Sequence, residues 1–331
     1  SSFFNENAFF RPFLVRENQT EIELSNGIVI AILASDYKTL RGYTAVAAIV
    51  DEVAYLEVEG QKPDVEIIRA LRSRLLSTKG PLICISSPYA KRGQLYETYK
   101  RHYGKNESPI LVWQASSLTM NPTLDAEAIN QAYIEDEAGS RADYGAEFRS
   151  DIESYISREA VEAVMIPGRY ELPYLSDQNY FAFVDPSGGS KDSMTLAIGH
   201  VENEIRILDA IREARPPFSP EEVVKQFAET LKAYHILEVG GDRYGGLWPQ
   251  ERFSVHGINY RVSDKAKSDI YAELLAPINS GRVELLDHEK MITQIVNLER
   301  RTARSGKDSI DHCPGGHDDL ANAAAGCLVG L

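Results

Sequence analysis

YFAFVDPSGGSKDSMTLAIGHVENEIRILDA, residues 180–210, is the stretch that decides the fold of this sequence. It holds three apolar runs, 180–184, 194–199 and 205–210, each short enough and regular enough to be a strand. The connections at 185–193 and 200–204 are shorter than the dozen or so residues that a parallel crossover needs. The three runs therefore make an antiparallel meander. Working outward, the pattern continues with a helix over 220–234, a strand over 236–240 and a strand over 258–262. A helix over 265–279, a short strand over 282–286 and two closing helices follow. In that order the strand at 236–240 lies parallel to the first strand of the meander, so their C-terminal ends sit side by side.

Carboxylates fall at those ends. Asp185 closes the first strand, just before Pro186, Ser187, Gly188 and Gly189. Asp242 closes the later one, between Gly240-Gly241 and Gly245-Gly246. Asp318 and Asp319 open the final helix, which can present its first turn to the same place. Asp192, in the loop after Asp185, is a further candidate. Carboxylates converging at strand ends suit hard divalent cations, Mg²⁺ or Mn²⁺. Two such ions about 4 Å apart serve phosphodiester hydrolysis. The adjacent glycines leave room for a phosphate backbone. Each acid also has a plainer reading, as a turn residue or as a favourable charge at a helix N-terminus. Their joint occurrence at matching topological positions is what favours the metal site. Lys265 and Lys267, and the basic stretch 300–307 with Arg300, Arg301 and Arg304, are the candidate DNA contacts, with solvated helix faces as the alternative. His312, Cys313 and His317 invite a zinc reading but lack a fourth ligand and a recognised spacing.

The first half reads differently. Apolar runs at 27–33, 45–50, 81–85 and 109–113 alternate with helical patterns over 64–77 and 93–102, an α/β arrangement that implies a parallel sheet. The run ending Ile49-Val50-Asp51-Glu52 has the Walker B pattern, in which Asp51 holds a nucleotide's Mg²⁺ and Glu52 orients the attacking water. Arg41 lies upstream as a candidate phosphate contact. Ser86-Ser87-Pro88 resembles the motif that couples nucleotide state to movement in motor ATPases. No Gly-x-x-x-x-Gly-Lys-Ser/Thr loop occurs in the 331 residues, so ATP hydrolysis is not expected of this chain alone. The expected organisation is a partial P-loop-type ATPase α/β domain over 1–150, a linker over 151–176 and a mixed sheet flanked by helices over 177–331.

Composition bounds the rest. A net charge of −14 argues against a protein that coats DNA, because phosphate binding is driven by Lys and Arg. It leaves room for an enzyme with local positive charge and a metal-neutralised acidic site. No run approaches the roughly 18 apolar residues of a membrane span. Three scattered cysteines, Cys84, Cys313 and Cys327, fit a reducing cytosol. No secretory signal is evident, and with Ser1 in place of an initiator Met the sequence reads as a fragment or a processed product.

Taken in order, these motifs resemble the large terminase subunit of tailed bacteriophages, over about 33–331. The resemblance rests on Ile49-Val50-Asp51-Glu52, Ser86-Ser87-Pro88, Val184-Asp185-Pro186-Ser187-Gly188-Gly189, Gly241-Asp242 and His317-Asp318-Asp319. It implies an ATPase domain followed by a ribonuclease H-like nuclease with two divalent metals. The substrate it implies is concatemeric double-stranded DNA. Implied partners are a small terminase subunit and a portal protein, with a homo-oligomer on the portal. The place of action is the host cytoplasm and, transiently, the viral prohead. ATP belongs only to a complete ATPase domain. By this pattern Asp185, Asp242 and Asp318 or Asp319, with Asp319 favoured, are the ligands, and Asn322 stands where related sequences often carry another acid. The rival readings are a recombination nuclease of the same fold, resolvase- or transposase-like, and a non-catalytic docking module.

Overall fold

The computed structural model describes residues 2–33, 44–56, 63–302 and 308–331. These form two compact units, one of the described residues up to 56, 63–87 and 92–113, the other of 88–91 and 114–331.

The first unit holds helix α1 (Ser2–Glu6) and strands β1 (Leu14–Glu17), β2 (Glu21–Leu24), β3 (Val29–Ala31) and β4 (Ala48–Val50). It continues with α2 (Pro63–Leu75), β5 (Leu82–Cys84) and α3 (Gly93–His102). Among the described residues, the parallel sheet expected here consists of the pair β4 and β5. The run at 27–33 instead supplies β3 to an antiparallel sheet with β1 and β2, because the turns joining them are too short for crossovers. The stretch 109–113, expected as a strand, joins no ladder. Val50, Val53 and Ile68 make a small core, with Leu71, Leu82 and Leu95 against it.

The second unit begins with α4 (Ser117–Met120), α5 (Ala126–Glu135), α6 (Glu137–Asp143), β6 (Ile152–Ser154) and α7 (Arg158–Glu162). The meander follows as β7 (Tyr180–Asp185), β8 (Met194–Glu202) and β9 (Ile205–Ala214). Then come α8 (Pro220–Ala233), β10 (Glu238–Gly241), α9 (Trp248–Val255), β11 (Asn259–Val262), α10 (Lys267–Asn279) and β12 (Val283–Glu284). The chain closes with α11 (Glu289–Val296), β13 (Leu298–Thr302), β14 (Asp308–His312) and α12 (Asp319–Gly330). The main sheet has the order β11-β10-β7-β8-β9-β12. Strands β7, β8 and β9 are antiparallel to one another, and β10 runs parallel to both β7 and β11. This is the ribonuclease H-like arrangement, a mixed sheet flanked by helices.

Both faces of the sheet are covered, which explains why its central strands are apolar throughout rather than alternating. Ala182 and Val184 point to a core shared with α8 and α9. Phe183, Ala197 and Leu208 point to the other, shared with α10, α11 and α12. Helix α12 approaches closely because its residues are small. A methyl group at Gly326 would sit 2.4 Å from the Phe183 ring, so only glycine lets the helix lie against β7.

Two segments differ from expectation. The stretch 151–176 carries β6 and α7 and buries Tyr155, Ile156, Val161 and Val164 in the core beneath α10–α12. The two expected closing helices are α11 and α12, but between them lies the antiparallel pair β13–β14, whose strand β13 also pairs with β6 in a separate antiparallel sheet. The charged, mainly polar sequence of 298–312 masked that pairing, since few apolar residues mark its period.

Candidate metal centre

Strand pairing sets the two central carboxylates. Gly241 on β10 is in register with Val184 on β7, and the Asp242 amide donates to the Val184 carbonyl at 3.3 Å. Asp185 and Asp242 thus leave neighbouring parallel strands at the same end, as the strand order implied. Gly241 is required for packing, since a Cβ there would meet the Tyr260 hydroxyl at 2.2 Å. That hydroxyl donates to the Asp242 carbonyl at 2.7 Å. The glycine therefore serves the tyrosine that ties down the Asp242 backbone, a use that spacing did not suggest.

Helix α12 brings the remaining groups. The Asn322 amide donates to Asp242 Oδ2 at 2.6 Å. Asp319 accepts from the Ser193 amide at 3.3 Å, and its carbonyl accepts from Thr195 Oγ1 at 2.7 Å. Asp318 accepts from the Tyr271 hydroxyl at 2.7 Å and pairs with Lys267 Nζ at 3.0 Å. Lys267 also reaches Asp311 Oδ1 at 2.7 Å.

The electrostatics are those of crowded anions. Asp185 and Asp242 keep part of their surface open to solvent. Burial nonetheless raises the Asp185 carboxyl well above the usual range, and the charges of Asp242, Asp319 and Asp318 push it further. Burial likewise raises Asp242, against the lowering effect of Asn322 and Lys267. Asp319 is pushed up to about 6, by burial first and then by Asp318. Burial works against the Lys267 ammonium, but Asp318 and Asp311 outweigh it and hold its pKa above the lysine range.

Oxygen donors that repel one another are the chemistry a hard divalent cation neutralises. Asn322 is fully buried and its Oδ1 has no hydrogen-bond partner. The orphaned carbonyl oxygen of the amide that bonds Asp242 is a further ligand-type group, so the residues fit a hard divalent cation. Among the described residues, the trio whose ligand atoms all lie within 4.8 Å of one another is Asp311, His312 and Asp318. Lys267 already supplies the positive charge there. Asp185, Asp242 and Asp319 are not drawn that close.

The other expected residues divide. Asp192 is exposed, 3.5 Å from His317 Nδ1, and its charge is felt at Asp319. His317 is thereby engaged, Cys313 is buried and His312 Nδ1 lies 2.8 Å from the Cys313 carbonyl oxygen. Lys265 pairs with Glu273, Arg300 with Asp308, and Arg301 with the buried Glu299. Arg41 and Arg304 lie outside the described residues. Arg243 and Lys191, both exposed, are the cations nearest in sequence to Asp242 and Asp185. In the first unit, Asp51 and Glu52 are exposed at the end of β4, and Ser86 Oγ donates to Glu52 at 3.2 Å. Tyr271, Tyr260 and Gln294 were not singled out by spacing, because each comes from a separate element of the fold, whereas Asn322 was marked by its place in the last motif.

No protein-family model matches this sequence, and no curated protein does. Solved structures do resemble it. The large terminase nuclease of thermophilic phage G20c with bound magnesium is 17% identical, with a TM-score of 0.46, over 52% of this chain and 96% of that one. The HK97 bacteriophage large terminase is 15% identical, with a TM-score of 0.45, over 100% of this chain and 80% of that one. The large terminase of thermophilic bacteriophage D6E is 11% identical, with a TM-score of 0.42, over 95% of this chain and 78% of that one. The similarity in each case is one of fold, to a large terminase or to the nuclease domain of one.

Proposed function

We propose that this chain is the nuclease-bearing part of a phage large terminase, a metal-dependent endonuclease that cuts concatemeric double-stranded DNA during genome packaging. The observation that carries this reading is the convergence of Asp185, Asp242, Asp319 and Asn322 at one end of the sheet. Two divalent ions held there supply an activated water and positive charge at the leaving oxygen of a phosphodiester. The protein's own part is to hold the carboxylates. Tyr260 pins the Asp242 backbone, Ser193 orients Asp319, and Asn322 donates to the Asp242 carboxylate. Arg243 and Lys191, exposed and close in sequence to Asp242 and Asp185, suit DNA phosphates. Lys265, Lys267, Arg300 and Arg301 are held by internal carboxylates and reach DNA only by releasing them.

In the complete protein the cutting domain is coupled to an ATP-driven translocation motor, with Asp51 and Glu52 in the nucleotide site. The proposed partners are the small terminase subunit, the portal protein and further copies of the chain on the portal. The proposed place of action is the host cytoplasm and the prohead. No described helix is long and apolar enough to cross a membrane.

The test is cleavage of supercoiled plasmid by the purified chain. Nicking and linearisation in Mn²⁺, absent in EDTA, are expected. An intact plasmid in Mn²⁺ favours the docking-module reading, and cleavage confined to four-way junctions favours the recombination nuclease.

A further inference from the structure

The first amides of an α-helix have no partner within the helix, and an Asp at the N-cap is among the best side chains for supplying one. Helix α12 has such a residue, Asp318, and does not use it. The Asp318 side chain makes no capping bond; it is turned to Tyr271 and Lys267 instead. The amides of Leu320 and Ala321 are satisfied from another helix. Gln294 on α11 accepts from both through Oε1, at 2.8 and 3.2 Å.

The side chain of Gln294 is poorly suited to its place in every other respect. It is 5% exposed, and its Nε2 has no hydrogen-bond partner. A buried donor left without a partner is costly, so the acceptor at the other end of the amide is what the site uses.

We infer that Gln294 is a positioning residue that caps α12 from outside, leaving the Asp318 carboxylate on Tyr271 and Lys267 instead of folding back on its own helix. There its charge acts on Asp185 and Asp242. This rests on the metal-nuclease reading above. Without the Gln294 oxygen, Asp318 is the nearest group able to take over the two amides, and the centre loses an anion while the helix keeps its cap.

The test is Mn²⁺ titration by calorimetry on the intact chain, with thermal melting alongside. Gln294→Leu is expected to weaken Mn²⁺ binding about 10–100-fold, the size usual for groups that orient ligands. Cleavage at saturating Mn²⁺ should be largely kept. Gln294→Glu, which keeps the acceptor, should restore binding. Because Gln294 acts through Asp318, Gln294→Leu in an Asp318→Ala background should add little, whereas a merely structural residue would add its full effect. Wild-type affinity in Gln294→Leu, a Gln294→Glu variant as weak as Gln294→Leu, or additive losses in the double variant overturn the inference. If Gln294→Leu does not fold, Gln294→Glu decides it, since a loss of affinity there overturns the inference and retention supports it. A wild type that binds no Mn²⁺ sinks the metal reading itself, and this inference with it.

Discussion

Asp185→Asn and Asp242→Asn are each expected to abolish Mn²⁺-dependent plasmid cleavage while leaving the metal-free protein at least as stable as wild type. The loss should exceed about 100-fold, the upper end for residues that only orient ligands, because these two carboxylates are the proposed ligands themselves. The stability result follows from the same crowding. Burial and neighbouring acids disfavour the ionised form of Asp185, and burial disfavours that of Asp242. A neutral amide of nearly the same shape removes that unfavourable charge. Losing function while keeping or gaining stability marks a site strained for its task, unlike a residue that holds the fold. Thermal melts in EDTA and plasmid assays in Mn²⁺ check both halves. Undiminished cleavage in either variant contradicts the assignment.

Mn²⁺ is expected to raise the melting temperature strongly near pH 7 and weakly near pH 4. Asp185, Asp242 and Asp319 all have carboxyls raised by folding, that of Asp319 to about 6. Between the unfolded and folded pKa values the folded state holds the extra protons. These groups therefore make the metal-free protein less stable as pH rises from about 4. A divalent cation binds the ionised forms and offsets that loss. At a hundredfold excess over the dissociation constant, binding contributes about 2.7 kcal/mol, or roughly 5–10 °C for a domain of this size. Other acids titrate in the opposite sense. Burial works against Glu213, but Lys290, Arg215 and Ser193 outweigh it and hold its carboxyl low. The difference between melts in Mn²⁺ and in EDTA isolates the metal centre from such groups. A difference that does not vary with pH would argue against carboxylate ligands.

The meander, the parallel strand beside it and the helix bearing Asp318 and Asp319 were legible because they rest on local signals. Those signals are apolar runs of strand length, connections too short for crossovers, and acids placed where strands end. The neighbours of those acids were not legible. Tyr260 reaches the Asp242 backbone, Tyr271 reaches Asp318, and Gln294 reaches α12 from a different helix, whereas Asn322 was marked by its place in the last motif. Nothing in local periodicity encodes such meetings. The segment 151–176 looked like a linker because Pro167, Gly168 and Pro173 break its pattern, yet Val161 and Val164 are buried. Lys267 and Arg301 looked like DNA contacts because charge in a sequence carries no information about its partner. In the fold they meet Asp311 and Asp318, and Glu299.

The most direct test of the metal centre is anomalous diffraction from crystals of this chain grown with Mn²⁺. The expected result is manganese density among the carboxylates of Asp185, Asp242 and Asp319, lost in Asp185→Asn. Density confined to Asp311 and His312, or none near Asp185, would contradict the account.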